Sequence, residues 1–459
     1  MTAQHGSHSE NARQWVHIAS GLFALMLRVL NGWQSAALAA AALVFNVLLL
    51  PRVGGKQLYR PADHARGFPL GILLYPLSVL LLTLAFPSRL DIAAAAWGIL
   101  AFGDGFATLI GHRWTRPSAS VPNSAVSSGR IPWNRDKSIA GTLAFIVFGG
   151  LAGVALAWWI RPAVVPMPPL AFTLAAPLAA AVIAALVETI PIRLDDNISV
   201  PAAAAAVLWI ASLMTTTALD GARAAVISAL PWALAVNALT GWLGYRAQTV
   251  TRLGALAGVA VGVLIYVGGS AGGWALLLVT FVVASVTSRL GIARKERLGI
   301  AEERGGRRGA GNAIANCGVA AVAAICAVST PYPAEALCAL VAALTAGGSD
   351  TVASEIGKAW GRSTFLVTTL RRVQPGTSGA MSVEGTLAGL VGALALAATG
   401  AAFGLIPFSG VPTVIAAATA GALVESVLGA TLEGPGILNN DMLNFLNTAV
   451  AAAVALAIQ

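Results

Sequence analysis

Charge is what this chain of 459 residues has least of: Asp, Glu, Lys and Arg together make up 10% of it, against 57% apolar residues. With a mean hydropathy of +0.78, that scarcity excludes a soluble globular protein. It also removes nucleic acid as the partner that a net charge of +9 would otherwise suggest. Cysteine is nearly absent too. Cys317, Cys326 and Cys338 all lie in apolar segments with no CxxC, which excludes a disulfide framework and a thiolate metal site and leaves small core residues. No HExxH exists, and His64 and His112 have no Cys partner, so zinc catalysis is not expected. The start, MTAQHGSHSENARQW, lacks the basic, apolar and cleavage segments of a removed signal peptide, so the first apolar run is expected to be a retained span.

Apolar runs of about 18 to 23 residues recur throughout. They predict an all-α polytopic membrane protein of about 14–15 transmembrane helices, with spans near 14–30, 33–51, 69–86, 90–112, 138–160, 164–188, 198–218, 224–245, 253–268, 271–288, 311–329, 333–349, 383–405, 410–430 and 440–458. With that count, all but four (Arg28, Arg89, Arg161 and Arg223) of the 28 Lys and Arg residues fall on the side of the N-terminus. Such asymmetry places the N-terminus and the long basic loops in the cytoplasm. The twelve tryptophans suit interface anchoring and packing.

Within the apolar background one stretch recurs. Ala101 to Gly111 reads AFGDGFATLIG and Gly348 to Gly357 reads GSDTVASEIG, so Asp104, Ala107 and Gly111 correspond to Asp350, Ala353 and Gly357. Further on, at nearly equal distance, Ser138-Ile-Ala-Gly141-Thr142-Leu-Ala is echoed by Ser382-Val-Glu-Gly385-Thr386-Leu-Ala. Two echoes in one order argue for duplication. The spans carrying the aspartates are the fourth and twelfth, an even offset, so the chain reads as two parallel, distantly repeated bundles, residues 1–220 and 221–459, with both motif clusters at the cytoplasmic face.

An ionisable group at the depth of Asp104 costs several kcal/mol unless a cation, a partner or water meets it. The next loop holds Arg113, Arg116, Arg130, Arg135 and Lys137 against one acid, Asp136. That field suits a polyphosphate, and equally suits anchoring at lipid headgroups. Lys137 stands apart, as one of four lysines and as the neighbour of Ser138, where a helix start offers free N–H groups to a phosphate. The loop is not a Walker A motif, since Ile131 and Asp136 occupy its glycine positions. Glu188, Asp195, Asp196 and Asn197, gathered at a span end, can hold a hard divalent cation through oxygen; Asp195, Asp196 and Asn197 can equally cap the helix that follows. Glu425 stands at the corresponding end in the second half. His17, in the first span, suits a structural hydrogen bond as well as a substrate contact.

Arg13-x3-His17-x3-Gly21, Gly103-Asp104-x2-Ala107-x3-Gly111, Lys137-Ser138-x2-Gly141-Thr142 and Glu188 with Asp195-Asp196-Asn197-x3-Pro201 together resemble the polyprenol kinase family, which includes phytol and dolichol kinases. The resemblance covers about residues 10 to 215. It implies a membrane-embedded kinase for a lipid alcohol, with CTP as the common donor and Mg2+. Asp104, Lys137, Asp195 and Asp196 would be catalytic, Glu188 a further metal ligand, and Arg66, Arg130 and Asn197 would join the other motif residues in binding.

A second resemblance covers about residues 235 to 459. It is to the membrane family that contains plant phytyl-phosphate kinase. It rests on Arg308 to Gly318 with Asn316, on Ser349-Asp350 with Ser354, Glu355 and Gly357, and on Gly376-Thr377, Ser382 and Gly385. Glu425 and Asn439-Asn440-x3-Asn444 complete it. It implies phosphorylation of a prenyl monophosphate to the diphosphate, with Asp350 and Glu425 as catalytic and metal-binding acids and Arg371 near the phosphates. Two departures separate the halves: Met381 stands where the first has Lys137, and Asn439 and Asn440 stand where it has Asp195 and Asp196. Arg289 to Arg308 reads as a solvated cytoplasmic loop whose early part lines the second phosphate site.

The expected activity is therefore bifunctional prenol salvage in a bacterial inner membrane, carrying phytol or geranylgeraniol through monophosphate to diphosphate, with prenyl lipids, nucleotide and the bilayer as partners. A single-activity lipid kinase, a CTP-using cytidylyltransferase, and an anion or lipid transporter are the alternatives. A transporter would place ionisable residues near the bilayer midplane and polar gates on both faces.

Overall fold

The computed structural model describes residues 3–50, 52, 69–115, 129–300 and 306–459; His64, Arg66 and Arg116 lie outside the described residues. The described residues are mainly helical, with two short hairpins among them, and the chain divides into two compact units, Met1–Ser212 and Leu213–Gln459. Eleven of the described helices are long and apolar enough to cross a membrane, and large apolar side chains such as Trp232, Leu253 and Val391 lie on the outside, as lipid-facing surfaces do. The chain is an all-α polytopic membrane protein.

In the first unit, α1 (Ala3–Gly21), α2 (Gly32–Leu48) and α3 (Leu70–Ala85) precede α4 (Leu90–His112). The strands β1 (Arg130–Ile131) and β2 (Asn134–Ser138) then form an antiparallel hairpin, and α5 (Ile139–Ala163), α6 (Leu170–Glu188) and α7 (Asp196–Leu213) follow. The run LDIAAAAWGIL suits a central position, because small side chains let neighbouring backbones approach closely. Accordingly α4 is 72% buried along its apolar window, while α5 to α7 are 33–39% buried. Its core packs Ile92, Ile99 and Leu100 against Phe145, Ile160 and Leu208. A wider π-helical turn, Ile99–Asp104, ends on the aspartate, and such turns re-aim side chains locally.

The second unit opens with α8 (Thr216–Arg246), α9 (Arg252–Arg289), the short α10 (Ile292–Arg297) and α11 (Ala310–Ser329). α12 (Pro333–Trp360) is the buried axis, at 78%. The hairpin of β3 (Thr364–Leu366) and β4 (Ala380–Ser382) comes next, then α13 (Val383–Ala402), α14 (Phe408–Glu433) and α15 (Asn440–Ile458). α9 is two helices meeting at Ser270, whose φ of 61° breaks the ladder. The break falls between the expected spans 253–268 and 271–288. Each piece, at about 1.5 Å per residue, is roughly 27 Å long, enough for most of a bilayer core.

From the buried helix onward the two units run through the same sequence of elements: aspartate-bearing helix, hairpin, serine-capped helix, and two more helices. The close contacts repeat too. Ser138 Oγ accepts from Gly141 N and Ser382 Oγ from Gly385 N, both at 3.1 Å. A Cβ added at Gly111 would lie 3.0 Å from Ser138 Oγ, and one at Gly357 would lie 3.0 Å from Ser382 Oγ. At Gly141 the nearest backbone oxygen, Ala107 O, is 3.0 Å from such a Cβ; at Gly385 the counterpart Ala353 O is 2.6 Å away. Gly385→Ala should therefore cost about 1–3 kcal/mol by overpacking, and Gly141→Ala less. Thermal unfolding of the two variants in detergent compares them, and equal losses would contradict the contact ranking.

Candidate active sites

In the first unit the acid at the end of the π-helical turn meets two others brought in by neighbouring helices. Asp104, the last residue of α6 (Glu188) and the first of α7 (Asp196) each place a carboxylate oxygen within 4.8 Å of the others. Lys137 joins them from the hairpin, its Nζ donating to Glu188 Oε1 at 2.6 Å and to Asp196 Oδ2 at 2.9 Å. The hairpin is held there by Trp133 Nε1, which donates to Thr189 Oγ1 at 3.2 Å, and by Asn134 Nδ2, which donates to Thr189 O at 3.2 Å. Burial alone would lower the pKa of Lys137, but Glu188, Asp196 and Asp104 more than reverse it and raise the pKa above the ordinary lysine value. The ammonium therefore stays charged through the neutral range.

His17 Nε2 lies 3.6 Å from Asp104 Oδ2. The ring packs edge-on to Tyr75, whose hydroxyl accepts from Trp97 Nε1 at 2.7 Å. Asp195 turns elsewhere: its Oδ1 accepts from Asn197 N at 3.0 Å and from Asn197 Nδ2 at 2.7 Å. Of the two adjacent acids, the first closes a turn at the helix start and the second faces the cluster.

The second unit repeats this division of labour. Asn439 Oδ1 caps α15 by accepting from Met442 N at 2.9 Å, while Asn440 lines a polar cavity of about 290 Å³ with Asp350, Glu425, Glu433 and Asn444. Arg308, Asn316, Ser354, Gly376, Thr377, Ser382 and Gly385 face the same space. One oxygen of Glu425 is buried there without a hydrogen-bond donor in bonding geometry, which leaves room for a cation or a donating ligand group.

Lys358 also lines this cavity, and no motif in the sequence marks it. Its Nζ donates to Glu355 Oε1 at 2.8 Å, and the other oxygen of Glu355 accepts from Lys295 Nζ at 2.6 Å. Lys295 is fully buried and also donates to Ser288 O at 2.6 Å. Glu355 is thus an anchor behind the cavity, whereas the sequence reading made it a ligand contact. The Arg289 to Arg308 segment, read as solvated, sends the Lys295 side chain into the interior, where Glu355 pairs with it. Its end, Arg308, is pinned by backbone hydrogen bonds between Arg308 N and Thr249 O and between Thr251 N and Arg308 O.

Compared with known proteins, the chain matches the integral membrane protein DUF92 family over residues 235–452. It is 43% identical over 202 residues to an uncharacterised membrane protein of Synechocystis sp., a match covering 43% of this chain and 78% of the relative. The chain belongs to the DUF92 family of membrane proteins. It is also 37% identical over 201 residues to protein VTE6, chloroplastic, of Arabidopsis thaliana, covering 42% of this chain and 59% of that protein. A probable phytol kinase 1, chloroplastic, of Glycine max is 32% identical over 211 residues, covering 43% of this chain and 66% of that one. No solved structure matches the chain.

The remaining sequence-predicted residues take varied places. Ser138 caps α5, and Thr142 Oγ1 donates to Ser138 O at 3.2 Å. Gly111 and Gly141 form the close crossing already described. Gly103 lies where a side chain would strike the Phe145 ring. Asn197 is buried beside the cluster, with Ser78 Oγ donating to its carbonyl. Arg13 is one turn from His17 on α1. Arg130 is exposed and donates to Arg135 O at 2.8 Å, and Arg371 is exposed on the second hairpin, apart from the cavity lining.

Proposed function

We propose that this protein is a bifunctional membrane kinase for isoprenoid lipids, the first unit phosphorylating a prenol such as phytol or geranylgeraniol and the second converting the monophosphate to the diphosphate. The observation that carries this reading is the trio of buried-to-half-buried carboxylates that converge where apolar helices meet, with Lys137 bonded to two of them. Nothing about a lipid core needs three acids and a lysine in one place; transfer of a phosphoryl group from a nucleotide to a lipid head does. The relatives named VTE6 and phytol kinase support the substrate class.

Three carboxylates within reach of one point suit Mg2+, a hard cation that takes oxygen ligands. Asp104, Glu188 and Asp196 would hold it in the first unit; in the second, where no such trio converges among the described residues, Asp350 and Glu425, which face one cavity, would hold it, and when bound it would neutralise charge on the donor phosphates. CTP is the proposed donor. Lys137 supplies positive charge where the transferring group becomes crowded with oxygens, and one of the carboxylates takes the hydroxyl proton. The alcohol oxygen bonds to the γ-phosphorus as the bond to the β–γ bridging oxygen breaks, releasing the nucleoside diphosphate. The basic loops support a cytoplasmic N-terminus, in a bacterial inner membrane.

Purified protein in detergent, given a C20 prenol, Mg2+ and each nucleoside triphosphate in turn, should yield monophosphate and then diphosphate on chromatography. Formation of neither with any donor would overturn the proposal. The amide at Asn440, facing the cavity where the first unit has Asp196, avoids adding a negative charge beside an acceptor that is already anionic. Asn440→Asp is therefore expected to lower the rate with monophosphate by about tenfold, the effect of ~1.4 kcal/mol of repulsion in the transition state. Full retention of activity would remove this account of the amide.

A further inference from the structure

An apolar chamber of about 480 Å³ lies in the second unit between α8, α9 and α11. Its walls include Gly241, Val261, Leu278 and Phe281. The polar groups that reach it deep inside are already satisfied, because Trp274 Nε1 donates to Asn237 Oδ1 at 3.1 Å and Asn237 Nδ2 donates to Ala233 O at 2.8 Å. What the chamber offers a guest is therefore hydrocarbon surface. Its volume lies within the roughly 300–1,000 Å³ of small-molecule sites.

The chamber is not isolated. Arg308, Asn312 and Asn316 line both it and the polar cavity that holds Asp350 and Glu425. On α12 the change of character takes less than one turn: Gly347 and Gly348 face the chamber, and Asp350 and Thr351 face the polar cavity. An amphiphile with an anionic head and a hydrocarbon tail matches this sequence of walls, with the guanidinium of Arg308 at the point where head joins tail.

We propose that this chamber is the tail site of the second unit and that it takes the isoprenyl chain of a prenyl monophosphate, its size setting the chain length accepted. The assignment rests on the kinase reading of that unit. Gly258 offers the sharpest test. It lines the chamber, and a Cβ added there meets nothing within 4 Å, so Gly258→Phe puts a ring into open space.

Two measurements decide the matter. In the first, kcat/KM is measured with C5 and C20 isoprenyl monophosphates for the full-length protein and for Gly258→Phe. The C20-to-C5 ratio should fall by about tenfold or more, the equivalent of roughly two methylenes losing their buried surface; an unchanged ratio would overturn the tail site. In the second, a C20 monophosphate carrying a terminal diazirine is photolysed on the wild-type protein in detergent and the labelled peptides are identified. Labels should fall on α8 and α9 around Gly241 and Phe281 and be displaced by unlabelled C20 monophosphate. Labels spread over outward-facing helices, or displaced equally by phospholipid, would overturn it. If no monophosphate is phosphorylated, the kinase reading fails by itself, and the labelling pattern still decides what the chamber holds.

Discussion

Lys137→Met should reduce formation of prenyl monophosphate by about 10²–10³-fold while leaving conversion of added monophosphate to diphosphate in place. The size follows from what an oriented charge contributes when it faces developing negative charge in a water-poor site, about 3–4 kcal/mol per donor removed. Methionine is the informative replacement because the protein already uses it: Met381 stands at the equivalent place before Ser382, so the hairpin and the serine-capped helix accept that side chain. The substitution also leaves Glu188, which is 5% exposed, with no cation, and breaking such a pair typically costs about 3–5 kcal/mol. Loss of activity could then be confused with loss of fold. The double variant Lys137→Met, Glu188→Gln separates the two, since it should regain most of the thermal stability and none of the monophosphate synthesis.

The contribution of Lys137 to the pH behaviour follows from the sign of its own shift. A lysine whose folded pKa is raised contributes stability fully present below its unfolded pKa of about 10.4, lost only as the pH climbs through the higher folded value. Any fall in stability or rate near neutrality must therefore come from other groups. Monophosphate formed at the wild-type rate by Lys137→Met would mean that the cluster is structural.

The elements that were legible in the sequence are those whose signal is local. A helix crossing a membrane is written as a long apolar run, and the fifteen runs reappear as helices or parts of helices, including the pair broken at Ser270. Asp104 and Glu188 were visible because a charge in such a run has few structural excuses. The hairpins were not legible: β1 and β3 have two and three residues, too short for alternation to register. Nor could spacing tell which of two adjacent acids caps and which faces the site, since that depends on where the chain enters α7. The charged run IARKER reads as solvent-exposed by composition, and all of it but Lys295 is exposed; only a contact between residues 60 apart, Lys295 with Glu355, takes that side chain inside. Scarcity was the one usable clue. Lys137 stands out as one of four lysines, and the same reasoning applies to Lys295 and Lys358.

Those two lysines carry the other large expectation. The second unit has no cation where the first has Lys137, yet its cavity is lined by Asp350, Glu425 and Glu433. Lys358 restores the charge from a different element, one residue beyond Gly357, where the first unit has His112. Glu355 fixes it in place, and Lys295 neutralises the half of Glu355 that Lys358 does not reach. Lys358→Met should therefore lower diphosphate formation by about 10²–10³-fold, the range for one oriented donor, with little effect on stability, because its side chain is 27% exposed. Lys295→Met should do the opposite. It leaves Glu355 underpaired in the interior, costs about 3–5 kcal/mol, and reduces activity through unfolding and through release of Lys358. Replacing both partners, Lys295→Met with Glu355→Leu, removes the buried charges together and should recover stability without recovering the rate. The decisive variant moves the cation: Lys358→Met combined with Met381→Lys gives the second unit the arrangement of the first. Partial return of diphosphate synthesis would show that the site requires a positive charge supplied from either element. No return, together with unaltered activity in Lys358→Met alone, would leave the three-residue ion network as a packing device and nothing more.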